Sequence, residues 1–132
     1  MKMDADNKNQ EAAEKADHLF NNGLHCAEAV VKSVLEAKGL LACQAIKYAT
    51  AFGGGFGKTF EEACGALSGG LVAIGHISGR NQPGENWDQP AYLAAELRDK
   101  FIEKYETTHC QTLRERFGQE DQMKECTKIV RL

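Results

Sequence analysis

Apolar residues recur at intervals of three and four along most of this chain, and nowhere do they alternate with polar ones over the length of a strand. A helix returns to the same face about every 3.6 residues and a strand every second residue, so this spacing restricts the fold to helices that share one buried stripe. β-Branched residues, which favour strands, are sparse. The sequence therefore predicts an all-α fold, a compact helical bundle of about five to seven helices. At 132 residues the chain can bury one sizeable core but is short for two. A single domain over 1–132 is expected, with residues 1–9 frayed.

Punctuating residues divide the pattern. A first helix is expected from about Gln10 to Asn21, ended by Gly23 in a left-handed conformation. A second starts near His25, buries Ala27, Val30, Val31, Val34 and Leu35, and stops at Gly39; a third runs from Leu41 to Phe52. After the glycine-rich break Gly53–Gly57, Thr59 and Glu62 have the spacing of a capping box, which places the start of a fourth helix at Thr59. That helix carries Gly65, Ala66, Gly69, Gly70 and Ala73, a small-residue face that lets another backbone come very close, as expected of the central helix. Asp88 or Gln89 before Pro90 begins a fifth, reaching about Glu106, with Leu93, Leu97, Phe101 and Tyr105 on its core face. Thr108 has the form of a cap for a short helix closed by Gly118, and a last helix follows from about Asp121.

Composition narrows the function. With a net charge of −3 and basic residues interleaved with acidic ones, the chain lacks the cationic stripe that nucleic-acid binding needs. Its one long apolar run, Ala63 to Ile77, falls short of the ~20 residues that span hydrocarbon, so no membrane partner is expected. The polar start MKMDADNKNQ has no secretory apolar core, which points to the cytoplasm. There thiols are normally kept reduced, and an odd count of five cysteines argues against a static disulfide framework and for metal binding or thiol chemistry.

Four of the five fall near expected helix starts. Cys26 opens the second helix and Cys110 follows Thr108, while Cys64 and Cys126 come about five residues after the caps Thr59 and Asp121. Unsatisfied amides and the positive end of the dipole favour thiolates there and lower their pKa. The spacing contains no CxxC pair, so zinc ribbons, thioredoxin-type motifs and bacterial ferredoxin clusters are not matched. For any single cysteine the plain alternative is a small apolar core residue. Cys43, one turn before Ile46, is read as such a residue, core or partly exposed.

The runs HCAEAV at Cys26, AFGGGFG ahead of CGALSG at Cys64, and single cysteines at Cys110 and Cys126 resemble the C_GCAxxG_C_C family over nearly the whole chain. The CGAxxG signature is present as Cys64-Gly65-Ala66-Leu67-Ser68-Gly69. The resemblance implies a redox-active protein, similar to a part of split-Soret cytochromes, with Cys26, Cys64, Cys110 and Cys126 as the functional set. It implies an iron–sulfur cluster or other metal centre on those four sulfurs, and electron transfer with a redox partner protein. Zinc on the same sulfurs in a structural role, and a metal-free thiol–disulfide centre, are the alternatives.

The run GGGFGKT resembles a phosphate-binding loop, but Phe52 stands where its first glycine belongs and a helix precedes it instead of a strand. Gly53, Gly54, Gly55 and Gly65 are read instead as places where backbone approaches the sulfurs and offers amides to them or to a bound anion. His25 and His109 each precede a cysteine. Neighbouring helical residues point about 100° apart, so one metal does not easily take both members of a pair, and the histidines are read as solvated residues at helix starts. The GxxxG at Gly65 and Gly69 suits packing within the chain, and a homodimer sharing a site stays open.

Overall fold

The structure is a computed structural model that describes residues 11–116, apart from Ala13, Asp17 and Asn21. The expected frayed start, the end of the short helix at Gly118 and the last helix with Cys126 lie outside the described residues. Most of the described chain is helical, as its periodicity requires. Helical turns at 11–12, 14–16 and 18–20 lead to Gly23, whose φ of +112° ends the run, while the Leu24 N–H returns to the Leu19 carbonyl at 3.1 Å. Then come α1 (Cys26–Ala37), α2 (Cys43–Ala49), a 3-10 turn (Thr50–Phe52), α3 (Gly65–Ser78), α4 (Asp88–Tyr105) and α5 (110–116). Among the described residues there is no strand; one isolated antiparallel bridge joins Ala63 to His109. No helix among them is long and apolar enough to cross a membrane.

The helix ends follow local rules where local rules are all that act. At the end of α1, Gly39 has φ +75° and its N–H reaches Glu36, while the Leu40 N–H reaches Leu35; the two bonds form a Schellman motif. α4 ends at Glu106, which takes the same left-handed role with φ +69° and donates to Ile102 at 2.7 Å. A β-carbon makes that conformation costly, and this residue is exposed. Glu106→Gly is therefore expected to raise stability by about 1 kcal/mol, read from urea denaturation midpoints at unchanged m-value.

α3 is central and packs on α1, α2 and α4. Its glycines make this possible. A β-carbon on Gly69 would sit 2.5 Å from the Ala27 carbonyl oxygen, and one on Gly65 would overlap the Cys26 sulfur. The small face of α3 is thus filled by α1 of the same chain, and the two helices start side by side. On one side of this seam Cys26, Val30, Cys64, Leu67, Leu97, Phe101, Tyr105 and Leu113 are buried together; on the other, Ala27, Val31, Leu35, Ala45, Ala49 and Ala73.

The start of α3 departs from the sequence reading. Residues 60–64 are not helical: α3 begins at Gly65, with Cys64 as its N-cap. Thr59 does not cap a helix. Its hydroxyl donates to the Gly55 carbonyl at 2.6 Å and accepts from the Glu61 N–H at 3.2 Å, closing the loop on itself. The segment instead pairs with the chain around α5: Cys64 N–H to Thr108 O at 2.7 Å, Cys110 N–H to Glu62 O at 2.8 Å, Gln111 N–H to Phe60 O at 2.9 Å. Carbonyls of 60 and 62 thereby satisfy two orphan amides of α5, and this clamp ties the backbone at Cys64 and at Cys110 into one pairing.

Candidate functional site: a buried cysteine cluster beside a cationic cavity

Three of the four expected cysteines meet at one end of the α1/α3 seam. Cys26 is the first residue of α1, Cys64 caps α3, and Cys110 is the first residue of α5. They are 8%, 0% and 1% exposed. The fourth, Cys126, lies outside the described residues. Cys43 also opens a helix, yet it is exposed on α2. A helix start alone therefore does not gather the cysteines; the glycine seam and the 60–64 clamp do.

The Cys26 sulfur accepts hydrogen bonds from the Gly54 and Ala27 backbone N–H groups. Even so, the expectation of a lowered pKa fails here. Burial, then the neighbouring Cys64 and Cys110 thiols, push the Cys26 thiol from 9.0 up to about 11, outweighing the two amides. Cys26 is a protonated thiol at neutral pH.

Of the glycines expected near the site, Gly54 gives its amide to Cys26, and Gly65 lies against the same sulfur. Gly55 passes so close to Cys110 that a β-carbon would stand 2.7 Å from the Cys110 Cβ; at Gly53 it would stand 2.6 Å from the His25 ring. From Gly54 to Lys58 five successive residues have φ between +59° and +66°, a turn of left-handed helix that includes Phe56 and Lys58. Glycines supply most of it because the left-handed region costs other residues about 1–2 kcal/mol each.

The histidines are not idle solvated residues; both cap helices. The His109 Nδ1 accepts the Thr112 N–H at 3.3 Å in the first turn of α5, where Thr108 was the expected cap. His25 caps α1, its own N–H meeting Glu28 at 3.3 Å. Its Nε2 faces the Thr50 carbonyl at 2.9 Å and the Glu28 carboxylate at 3.2 Å, both acceptors, so Nε2 is the donor to them. Nδ1 is buried and has no hydrogen-bond partner among the described residues.

Beside the cluster lies a cavity of about 600 Å³, walled by Cys26, Cys110, His25, Phe20 and Phe60, with Lys58 and Arg114 among the lining residues. Arg114 stacks its guanidinium 3.8 Å from the Phe60 ring centre. Lys58, Phe60 and Arg114 escaped the sequence reading, since nothing in their spacing ties them to the cysteines; only the paired His-Cys steps at 25–26 and 109–110 hinted at a repeated arrangement.

Clusters and zinc are held by three or four donors converging on one point. Among the described residues no group of three or more His, Cys, Asp and Glu side chains is arranged to hold a metal ion. Cys26, Cys64 and Cys110 therefore do not close a metal site by themselves.

A family model described as "Putative redox-active protein (C_GCAxxG_C_C)" matches residues 24–132. The chain belongs to this family. No curated protein and no solved structure matches it. In this C_GCAxxG_C_C protein the signature glycines Gly65 and Gly69 are the two that admit α1, so the motif builds the seam on which the cysteines meet.

Proposed function

We propose that this C_GCAxxG_C_C protein performs two-electron redox chemistry at sulfur, with Cys26 and Cys64 cycling between dithiol and disulfide. One observation carries the reading: the Cys26 sulfur lies against Gly65, the residue directly after Cys64, and a charge on Cys64 acts directly on it. Cys26 borders the cavity and Cys64 stands behind it, fully buried, which suits Cys26 as the thiol that meets an oxidant and Cys64 as the one that resolves the bond. On treating the reduced chain with diamide, intact mass is expected to fall by two hydrogens, with a peptide map joining Cys26 to Cys64 and no such product in Cys64→Ser. An unchanged mass would overturn the reading.

A second reading, an iron–sulfur or other metal centre completed by Cys126, is favoured by the cationic rim of Lys58 and Arg114 beside three thiols, since a thiolate-ligated centre is anionic. Anaerobic purification with iron, zinc and acid-labile sulfide analysis separates the two. Iron with sulfide, lost in Cys64→Ser, supports the centre; metal-free protein that still closes its disulfide supports the dithiol.

A further inference from the structure

The cavity beside Cys26 has a consistent chemistry. Lys58 and Arg114 are the lysine and arginine among its lining residues, and among the described residues neither Asp nor Glu contributes to the wall. Glu28, the nearest acid on α1, is turned onto Thr50 and His25, with its oxygens 2.8 Å from the Thr50 hydroxyl and 3.2 Å from the His25 ring. Phe20 and Phe60 give the remaining wall an apolar character. At about 600 Å³ the space matches a small molecule. A concave wall with cations at its rim draws in anions and raises their rate of arrival.

Resting on the dithiol reading, we infer that the substrate at Cys26 is a small disulfide bearing carboxylates, reduced there to two carboxylated thiols. Cys26 gives up its proton to solvent, and the thiolate so formed, a minor species at neutral pH, attacks one sulfur of the small disulfide, forming a mixed disulfide and expelling the other half as a thiolate. Cys64 then attacks the Cys26 sulfur, closes the protein disulfide and expels the second half. Two electrons pass from the protein to the small molecule, and the two protons of the protein thiols end on the two released thiols. Lys58 and Arg114 hold the carboxylates while the apolar wall receives the carbon–sulfur chain.

Three disulfides of matched size test this: dithiodipropionate, which is dianionic; cystamine, which is dicationic; and neutral bis(hydroxyethyl) disulfide. Oxidation of the reduced full chain is followed by intact mass, each rate divided by that of the same disulfide with free cysteine, which removes intrinsic reactivity. At low salt dithiodipropionate is expected to lead cystamine by about tenfold, with the lead collapsing near 1 M salt. Lys58→Glu with Arg114→Glu is expected to invert the order, and Lys58→Glu alone, at an exposed position, to narrow it if the double variant does not fold. Normalised rates that do not depend on charge, or an order untouched by these variants while the Cys26–Cys64 bond still forms, would overturn the substrate class and leave the dithiol standing. No disulfide with any of the three or with diamide would remove the dithiol itself, and the inference with it.

Discussion

Gly69→Ala is expected to destabilise the protein by about 2 kcal/mol, although alanine is the better helix former. An L-residue at 69 places its β-carbon 2.5 Å from the Ala27 carbonyl oxygen, 3.1 Å from its Cα and 3.2 Å from its carbonyl carbon. All three are backbone atoms inside α1, so no side chain can turn aside and the helices must part. Overpacking of this kind costs up to about 3 kcal/mol, from which about 1 kcal/mol of helix propensity is recovered. Gly75 in the same helix is the control: it is exposed and a β-carbon there meets nothing within 4 Å, so Gly75→Ala should stabilise by about 1 kcal/mol. Urea denaturation of the three proteins checks both signs. A stabilisation in both variants would refute the close packing of α1 on α3.

The second large effect is a loss of stability in alkali. In the folded protein Cys26 keeps its proton up to about pH 11, against 9.0 for an unperturbed thiol. Between those values the unfolded chain binds fewer protons than the folded one, so stability falls as pH rises. The contribution of the buried thiol is complete below pH 9, is lost as pH climbs through 11, and amounts to about 3 kcal/mol. Lysines and tyrosines titrate over the same range, so the informative quantity is the difference between wild type and Cys26→Ala. The wild type should lose about 2 kcal/mol more than the variant from pH 8 to 11, where the folded thiol is half ionised. Alkylation of Cys26 should also accelerate about tenfold per pH unit toward pH 11, since the thiolate is the nucleophile. Equal slopes in the two proteins would show that Cys26 is not held as a buried neutral thiol.

The parts of the fold legible in the sequence are those decided within one helical turn. Leu97, Phe101 and Tyr105 announce their face by recurring every fourth residue, and Gly23 and Gly39 mark helix ends because only a left-handed residue closes the bonds there. The start of α3 was not legible. Thr59 and Glu62 spell a cap, but residues 60–64 find their bonding partners at 108–111, and that pairing outweighs a local preference worth about 1 kcal/mol. The cap of α5 falls one residue after Thr108, because the His109 imidazole does the work expected of a hydroxyl. That Cys26, Cys64 and Cys110 lie near one another is legible through the CGAxxG signature, while Cys126 falls outside the described residues. The protonation of Cys26 is not, since it depends on how deeply the seam buries Cys26 and on thiols brought from elsewhere in the chain. Lys58 and Arg114 reach the cavity from two separate elements, a relation that no local pattern records.

The left-handed turn at Gly54–Lys58 has a consequence for chirality. At Gly57, with φ +65°, a β-carbon of ordinary L-configuration would touch nothing within 4 Å. Crowding is not what bars a side chain there; handedness is. A mirror-image amino acid prefers the conformation that an L-residue resists. Semisynthesis with D-alanine at 57 would therefore restrict the unfolded chain while matching the native backbone, and L-alanine at the same atom count would strain it. Beside the cysteines the genetic code offers glycine as its only achiral residue, and this turn takes it three times in its five positions from Gly54 to Lys58.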